Sequence, residues 1–541
     1  MAALAMSQSS RRDFIAALLG TPFAAAACGR RTPQLPDGEL LLPGKAAGHR
    51  LRDGAWRAPA PNAARRSVQV AIVGGGVAGL AAAWWLERRG LHDFLVLELD
   101  DVLGGTSRSG TSPLTEYPWG AHYIVAPQAH QAALIELLRE LAALEVTAGG
   151  AIVAAEHAAC REPEERLFYQ GRWYDGLYLH AGASRSDQEQ LQRFQQEIAS
   201  WVAFRDARGR RAFTLPSSAA SDAPEVTSLD RQSFASWLDA RGFDSPRLRW
   251  LMNYACRDDY GLTPEDTSAW AGIAYFAARI AQPGAEPEPV ITWPEGNGRL
   301  VSQLAKALGP RLALGHAVGS VRGAEAGVEI LAESAQGGLR LHARRAIVAA
   351  PGHVARRIVA GLAERPAPAV TLDRGAWAVA NLHLEERPAA RSNDAPLAWD
   401  NVFHDSPSLG YVVATHQRGR DHGPSVFTWY YPFTGSGTEA RRSLDGAGRE
   451  EWAALALADL GRAHPDIAEC CRRVDVAYWG HGMVRPRVGS VFDPALRAAR
   501  LPLGAVHFAV SELSGWSLFE EALDHGVRAA EEVLTALGHA V

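Results

Sequence analysis

The run Val68-Gln-Val-Ala-Ile-Val-Gly74-Gly-Gly76-Val-Ala-Gly79 constrains the fold of this chain more than any other segment, because an apolar β-type stretch ends there in a glycine turn. Each glycine has its own steric task. Gly74 permits the tight turn, Gly76 lets backbone approach a pyrophosphate, and Gly79 lets the following helix pack closely on the strand. The phosphates then sit at a helix N-terminus, where free N–H groups and the dipole favour negative charge. A helix over residues 80–89 and a second apolar strand, 94–97, follow. Glu98 ends that strand about 20 residues on, where a carboxylate receives adenosine ribose hydroxyls. The ordered set predicts a dinucleotide site, with a glycine-rich structural turn as the alternative.

The next segment, Gly104-Gly105-Thr106-Ser107-Arg108, resembles the second glycine pair of the flavin-containing amine oxidase superfamily, which includes protoporphyrinogen oxidases and phytoene desaturases. The resemblance implies FAD. No cysteine or histidine stands in a flavin-attachment pattern, so the FAD is expected to be noncovalent. Arginine usually follows the glycine pair directly; here Arg108 is expected to reach the pyrophosphate from three residues on. Trp293-Pro-Glu-Gly296-Asn-Gly298, followed by His316-Ala-Val318, is similar to the family's proline-glycine-glycine element and to the valine whose backbone meets the adenine. Near the C-terminus, Ser511-Glu512 and Trp516-Ser-Leu-Phe519 resemble the closing FAD segment. There the resemblance gives Glu512 a ribityl hydroxyl and sets the helix N-terminus at Phe519 against the flavin pyrimidine carbonyl. A partially positive helix end would stabilise the reduced anionic flavin. Val510 stands where the family usually has glycine, and the spacing after Trp516 is one residue short.

The predicted class is α/β: a discontinuous Rossmann-type FAD-binding domain with an α+β substrate domain. The FAD segments fall at 67–150, 290–360 and 475–541, leaving 151–289 and 361–474 for the substrate domain. Helical periodicity marks 188–203 and 234–251; 340–351, 409–415 and 425–431 read as strands.

The amino terminus suggests where the chain works. Arg11-Arg12, a short apolar stretch and small residues before Cys28 resemble a twin-arginine (Tat) export signal over residues 1–28. The apolar run is shorter than the roughly 20 residues a bilayer span requires. Tat export carries folded proteins, which suits a chain that takes up its cofactor first. Cleavage before Cys28, leaving a lipid anchor on it, is one reading; ordinary cleavage after Ala-x-Ala is the other. Either makes the periplasm or the extracytoplasmic membrane face the expected location and the Tat translocase a partner during export. Residues 29–66, rich in arginine and containing prolines, read as a linker.

A net charge of −5 over 541 residues, with no basic block beyond the amino terminus, argues against a nucleic-acid partner. No metal-ligand set is predicted. The five cysteines give no disulfide pattern, and those beyond Cys28 read mostly as buried thiols.

Enzymes of this superfamily take a hydride from a C–H beside nitrogen, oxygen or an alkene, and need orientation and a shielded cavity more than a protein nucleophile. A small-molecule hydride donor is the expected substrate. The resemblance places Trp119-Gly120-Ala-His122-Tyr123 beside the flavin ring, so His122 and Tyr123 are candidate catalytic residues. His122 is either a proton shuttle or a structural histidine. Tyr431, at a strand end, and His481, in a segment similar to the family's glycine-histidine-proline element, are the other candidates. Arg257-Asp258-Asp259, flanked by Tyr254 and Tyr260, reads as a cation-binding pair or as exposed loop acids. Lysine occurs only at Lys45 and Lys306. Many amine oxidases carry a lysine at flavin N5 that assists reaction with oxygen. Its lack here leaves room for a dehydrogenase, desaturase or isomerase, and an idle flavoprotein with a collapsed pocket is a further alternative.

Overall fold

A computed structural model describes residues 35–367, 372–392, 395–420 and 422–539, so the twin-arginine segment and Cys28 lie outside the described residues. Two large sheets organise the chain. In the seven-stranded sheet, Ala64–Val73 lies parallel between Phe94–Leu97 and Gly337–Val348, and Leu312–Ala313 continues the sheet beyond Phe94–Leu97. Gly337–Val348 serves two neighbours along its other edge. Its first half pairs antiparallel with Gly327–Ser334, and its last three residues pair parallel with Val506–Phe508. The central run Val70–Val73 is buried on both faces, as an interior parallel strand requires. The helices Val77–Arg88 and Phe519–Leu537 cover one face, crossing where Gly526 lets the Ala78 carbonyl and Ala81 come close.

The eight-stranded sheet runs in the order Leu40–Leu41, Cys471–Val484, Arg374–Leu384, Ser425–Pro432, Tyr411–Val413, Asp400–Phe403, Glu165–Tyr169, Arg172–Asp175. One face packs Trp429 and Tyr431 under the helices Gly437–Gly446 and Arg449–Leu460. The other presents Leu167, Trp377, Val379, Val402, Val412 and Tyr430. A helical unit with its own core of Phe194, Trp237, Trp270 and Trp516 completes the fold. The class is the expected α/β one.

Three expectations are corrected. Residues 475–484, placed with the FAD segments, belong to the eight-stranded sheet, because Cys471–Val484 is one continuous strand. The described part of the 29–66 linker is built into the fold. Leu40–Leu41 pairs with Val476–Ala477, Lys45–Arg52 is a helix, and the Trp56 ring packs on Gly319. A two-residue strand is too short to show against proline and arginine. The helix expected over 234–251 is two, Phe234–Asp239 and Pro246–Tyr260. Gly242 at φ +65° breaks the first, and the Ser245 cap with Pro246 at the first helical position starts the second.

Candidate active site

The glycine elements meet at the end of Ala64–Val73. Gly74 takes φ +113°, and a Cβ on Gly79 would stand 1.9 Å from the Gly74 carbonyl oxygen, so helix and turn touch through glycine alone. A Cβ on Gly76 would meet nothing within 4 Å: this glycine borders open space at the first turn of Val77–Arg88. The second pair lies alongside, with the Gly104 N–H donating to the Gly75 carbonyl at 2.8 Å. Glu98 is half-buried at the neighbouring strand end. It accepts from the Gly75 N–H at 2.6 Å and the Asp100 N–H at 2.9 Å, and burial raises its pKa. The His316 N–H donates to the Glu98 carbonyl at 2.7 Å, which brings the Val318 backbone to the same edge.

Arg108 is engaged within the protein. It pairs with Asp100 at 2.6 Å, donates to the Gly105 carbonyl at 3.1 Å and lies over the Trp479 ring at 5.6 Å, so it braces the glycine pair from behind. Glu512 is likewise held, by Arg374 at 2.8 and 3.2 Å and by the Gly352 N–H. Beside Arg374, His353 and His481 stack at 4.7 Å. Burial, reinforced by Arg374, Arg441 and Arg357, pushes His353 down to about 3 and His481 to about 4. The His353 Nδ1 is buried without a partner. An open glycine cradle at a helix N-terminus, an acid at the strand end and a basic wall with an unsatisfied nitrogen fit a phosphate-bearing dinucleotide. Phe519 begins Phe519–Leu537 and packs in the core beneath.

From this cradle a chain of contacts leads to a second region. The Ala121 N–H donates to the Thr106 carbonyl at 3.0 Å, and the Tyr430 hydroxyl donates to the Gly120 carbonyl at 3.0 Å. His122 then lies among rings, with centroids 4.8 Å from Tyr430 and 5.3 Å from both Tyr123 and Trp399. Burial pushes its pKa down to about 4, so it is neutral at physiological pH. That favours a structural, ring-packing histidine over a shuttle that is charged at rest.

Tyr123 leans toward the helix Pro246–Tyr260, its hydroxyl 3.4 Å from Asp259, which pairs with Arg279 at 2.6 Å. The Arg257-Asp258-Asp259 run is thus helical and turned inward, which corrects the loop reading. Arg257 ties down the carbonyls of Ser406, Pro407 and Ser408. Asp258, Glu165 and Asp400 are each half-buried nearby, with Asp400 accepting from the Tyr254 hydroxyl at 3.1 Å. Burial is the main cause that pushes Asp258 up to about 7, Glu165 up to about 8 and Asp400 well above the usual range; Asp259 adds to the first, Glu164 and Asp258 to the second, and Asp258 and Glu165 to the third.

The structure therefore brings His122 and Tyr123 together and separates the other two candidates. Tyr431 is corrected: strand alternation turns it into the opposite core against Trp452, and its neighbour Tyr430 faces His122. His481 stacks on His353 in the basic wall and makes no ring contact with the His122 group. Trp399, Asp400, Glu165 and Arg374 were missed, because their places depend on which strands pair. Lys306 is exposed after the helix Gly298–Ala305, and Lys45 pairs with Asp445 at 2.6 Å; neither reaches the cavity.

A glycine cradle beside a cluster of aromatic rings is the arrangement of a flavin-dependent oxidoreductase. Residues 77–534 match the model of the flavin containing amine oxidoreductase family, and the chain belongs to that family of FAD-dependent oxidoreductases. A provisionally named flavin-containing monoamine oxidase, AofH, of Mycobacterium tuberculosis is 30% identical over 280 residues, 50% of this chain and 55% of that protein. The chain thus spans about half the length of the curated relatives it matches. Among solved structures, putrescine oxidase is similar at TM-score 0.63 and 21% identity, covering 87% of this chain and 100% of that one. Cyclohexylamine oxidase from Brevibacterium oxydans IH-35A follows at 0.60 and 19%, over 87% and 100%. A fatty acid isomerase from P. acnes is similar at 0.59 and 13%, over 87% and 98%. At these identities the likeness is one of fold.

Proposed function

We propose that the protein oxidises a small amine, passing a hydride from the carbon beside nitrogen to FAD. The observation that carries this reading is the ring cluster of His122, Tyr430 and Trp399, beside which the Asp400 carboxylate accepts from Tyr254. When bound, FAD supplies the hydride acceptor. The chain's residues do the rest. The Gly74–Gly76 turn, Glu98 and the Val318 backbone would hold the adenosine half, and the Glu512–Arg374 pair would border the ribityl chain. The rings exclude water and favour the neutral, oxidisable form of an amine over the ammonium. Carboxylates draw in a cation, whereas a desaturase or isomerase for an apolar substrate calls for an apolar tunnel.

Anaerobic mixing of the holoenzyme with butylamine, benzylamine, 1,4-diaminobutane and oleate tests the reading. Bleaching of the flavin absorbance by an amine is the expected result. Turnover of oleate with no amine active would overturn it.

We also propose that the chain is exported by Tat and works in the periplasm or on the extracytoplasmic membrane face. The support is sequence alone: Arg11-Arg12, the short apolar stretch and Cys28. Fractionation of cells making the Arg11→Lys/Arg12→Lys double variant is expected to leave the protein in the cytoplasm. Wild-type protein found there would refute export, and labelled-palmitate incorporation lost in Cys28→Ser would identify the anchor.

A further inference from the structure

The segment that precedes the first strand of the cofactor sheet crosses from one half of the molecule to the other. It starts on the eight-stranded sheet. There the Pro36 carbonyl accepts from Arg449 at 2.9 Å, the Glu39 N–H donates to Asp475 at 2.8 Å, and Leu40–Leu41 adds an outer strand. It ends on the seven-stranded sheet, where the Trp56 ring lies on Gly319 and Pro59 lies on Gly338. In between, the helix Lys45–Arg52 is tied to both halves, by Lys45 to Asp445 and by Arg50 to Glu333.

These contacts flank the edge of the cradle where Glu98 and Val318 lie. On one side, the Gly44 N–H donates to Asp100 Oδ1 at 3.0 Å, while Asp100 Oδ2 holds Arg108 at 2.6 Å and the Asp100 N–H donates to Glu98 at 2.9 Å. A single acid thus links the segment to the brace of the second glycine pair and to the strand-end carboxylate. On the other side, the pairing of Ala317–Ala324 with Gly327–Ser334 slips between Val318 and Ser320, which makes Gly319 the residue of a bulge. A bulge re-aims the backbone around it, and a glycine within a strand marks a close approach by another group. The group is the half-buried indole of Trp56, since a Cβ on Gly319 would stand 2.0 Å from its Cε2. Leu51 and Val318 pack on the same core. The Lys45 and Arg50 pairs are open to solvent and contribute little, so Trp56 is the contact that fixes the segment at this edge.

We propose that residues 36–56 are a strap that retains FAD. Trp56 is a positioning residue: it clamps the bulge that sets the Val318 backbone toward the adenine, while the Gly44–Asp100 contact steadies the opposite side of the same edge. The proposal rests on the placing of adenosine at Glu98 and Val318 and is independent of the substrate. Because the strap is anchored in the eight-stranded sheet, the cofactor edge is complete only when the two halves are bridged. By linkage, bound FAD favours the docked strap as much as the docked strap favours FAD.

Two measurements on the full chain test this. Release of FAD, followed by the rise in flavin fluorescence on dilution of the holoenzyme, is expected to be at least about tenfold faster from Trp56→Ala than from wild type, and near the wild-type rate from Trp56→Phe. A tryptophan with only a structural role would lower the melting temperature of the FAD-free protein and leave the release rate unchanged. The second measurement needs no variant. FAD is expected to slow trypsin cleavage after Arg52 and Arg57 at least about fivefold relative to cleavage after Arg185, which is exposed on the helical unit. Wild-type release from Trp56→Ala, or equal relative cleavage with and without FAD, overturns the strap. In either case Gly76→Val shows where the error lies: loss of flavin from that variant leaves the cradle standing, and retention of flavin refutes the cradle as well.

Discussion

The cofactor cradle and the proposed substrate site are built on opposite plans. The cradle is mostly backbone: a glycine turn, a helix end and the second glycine pair, all within residues 74–105 except for the acids and basic groups around it. The proposed substrate site is mostly side chain, from residues 122–123, 165, 254–259, 399–400 and 430. A backbone site depends on the absence of Cβ atoms at fixed spacing, which a contiguous stretch of sequence records. A side-chain site depends on register and helix face, which only the assembled sheet decides.

The largest expected effect tests the cradle. Because Gly76 faces open space, Gly76→Val should fold normally but fill the room a phosphate needs. FAD affinity is expected to fall by about 100-fold or more, roughly 3 kcal/mol, with the unfolding midpoint of the FAD-free protein unchanged. Equilibrium dialysis and calorimetry would check both. Undiminished flavin content would mean the turn is only structural. Gly79→Val is the contrast, since its Cβ would collide with the Gly74 carbonyl and the fold itself should suffer.

Next comes the pair Tyr430 and Tyr431, adjacent in sequence and opposite in space. Tyr431→Ala leaves a hole beside Trp452 and is expected to cost about 3–5 kcal/mol of stability, with flavin reduction per folded molecule unchanged. Tyr430→Phe removes the hydrogen bond to the Gly120 carbonyl, worth about 1 kcal/mol, and is expected to slow reduction several-fold with little loss of stability. Denaturant titration and stopped-flow reduction separate the two. The opposite pattern would reverse the strand register.

That pair shows what the sequence could reveal. The alternation of Ser425–Pro432 was visible, but every residue of the strand is buried, so no polar face told inside from outside. Glu98 was legible because it ends an apolar strand at a fixed distance from the turn. Asp400 and Glu165 were not, because their meaning comes from pairing with each other across 235 residues. Arg108 and Glu512 were found at their positions, but their partners Asp100 and Arg374 could not be read from spacing. The helix break at 242–246 was written in glycine, serine and proline and was overridden by apolar periodicity on both sides.

A smaller effect follows from the cavity acids. Glu165 and Asp258 have folded-state pKa values above their unfolded ones, so the unfolded chain releases these protons first as pH rises. Their stabilising contribution is complete below the ordinary carboxylate range and is lost as pH climbs through about 7 and 8. Glu164, Asp259 and Asp400 add to the repulsion and Arg279 opposes it. The wild-type melting temperature is expected to fall between pH 5 and pH 8 relative to the Glu165→Gln/Asp258→Asn variant. Parallel melting curves for the two proteins would place these acids in contact with bulk water.

The smallest expected effect concerns the lysines, and it bears on the electron acceptor. Lys306 is exposed after the helix Gly298–Ala305, and Lys45 is paired with Asp445 on the helix Lys45–Arg52. Neither side chain lines the cavity, so neither can hold a water at its reacting end. Lys306→Met should therefore leave reoxidation of the reduced protein by oxygen within about twofold of wild type, a difference near 0.4 kcal/mol. Stopped-flow mixing of the reduced holoenzyme with aerated buffer measures it directly. If both are equally slow, the cavity lacks a cation to assist oxygen, and a different acceptor drains the flavin. If both are equally fast, oxygen is activated without lysine, and Arg279, which pairs with Asp259 and lies 5.8 Å from the Tyr123 ring, becomes the group to replace.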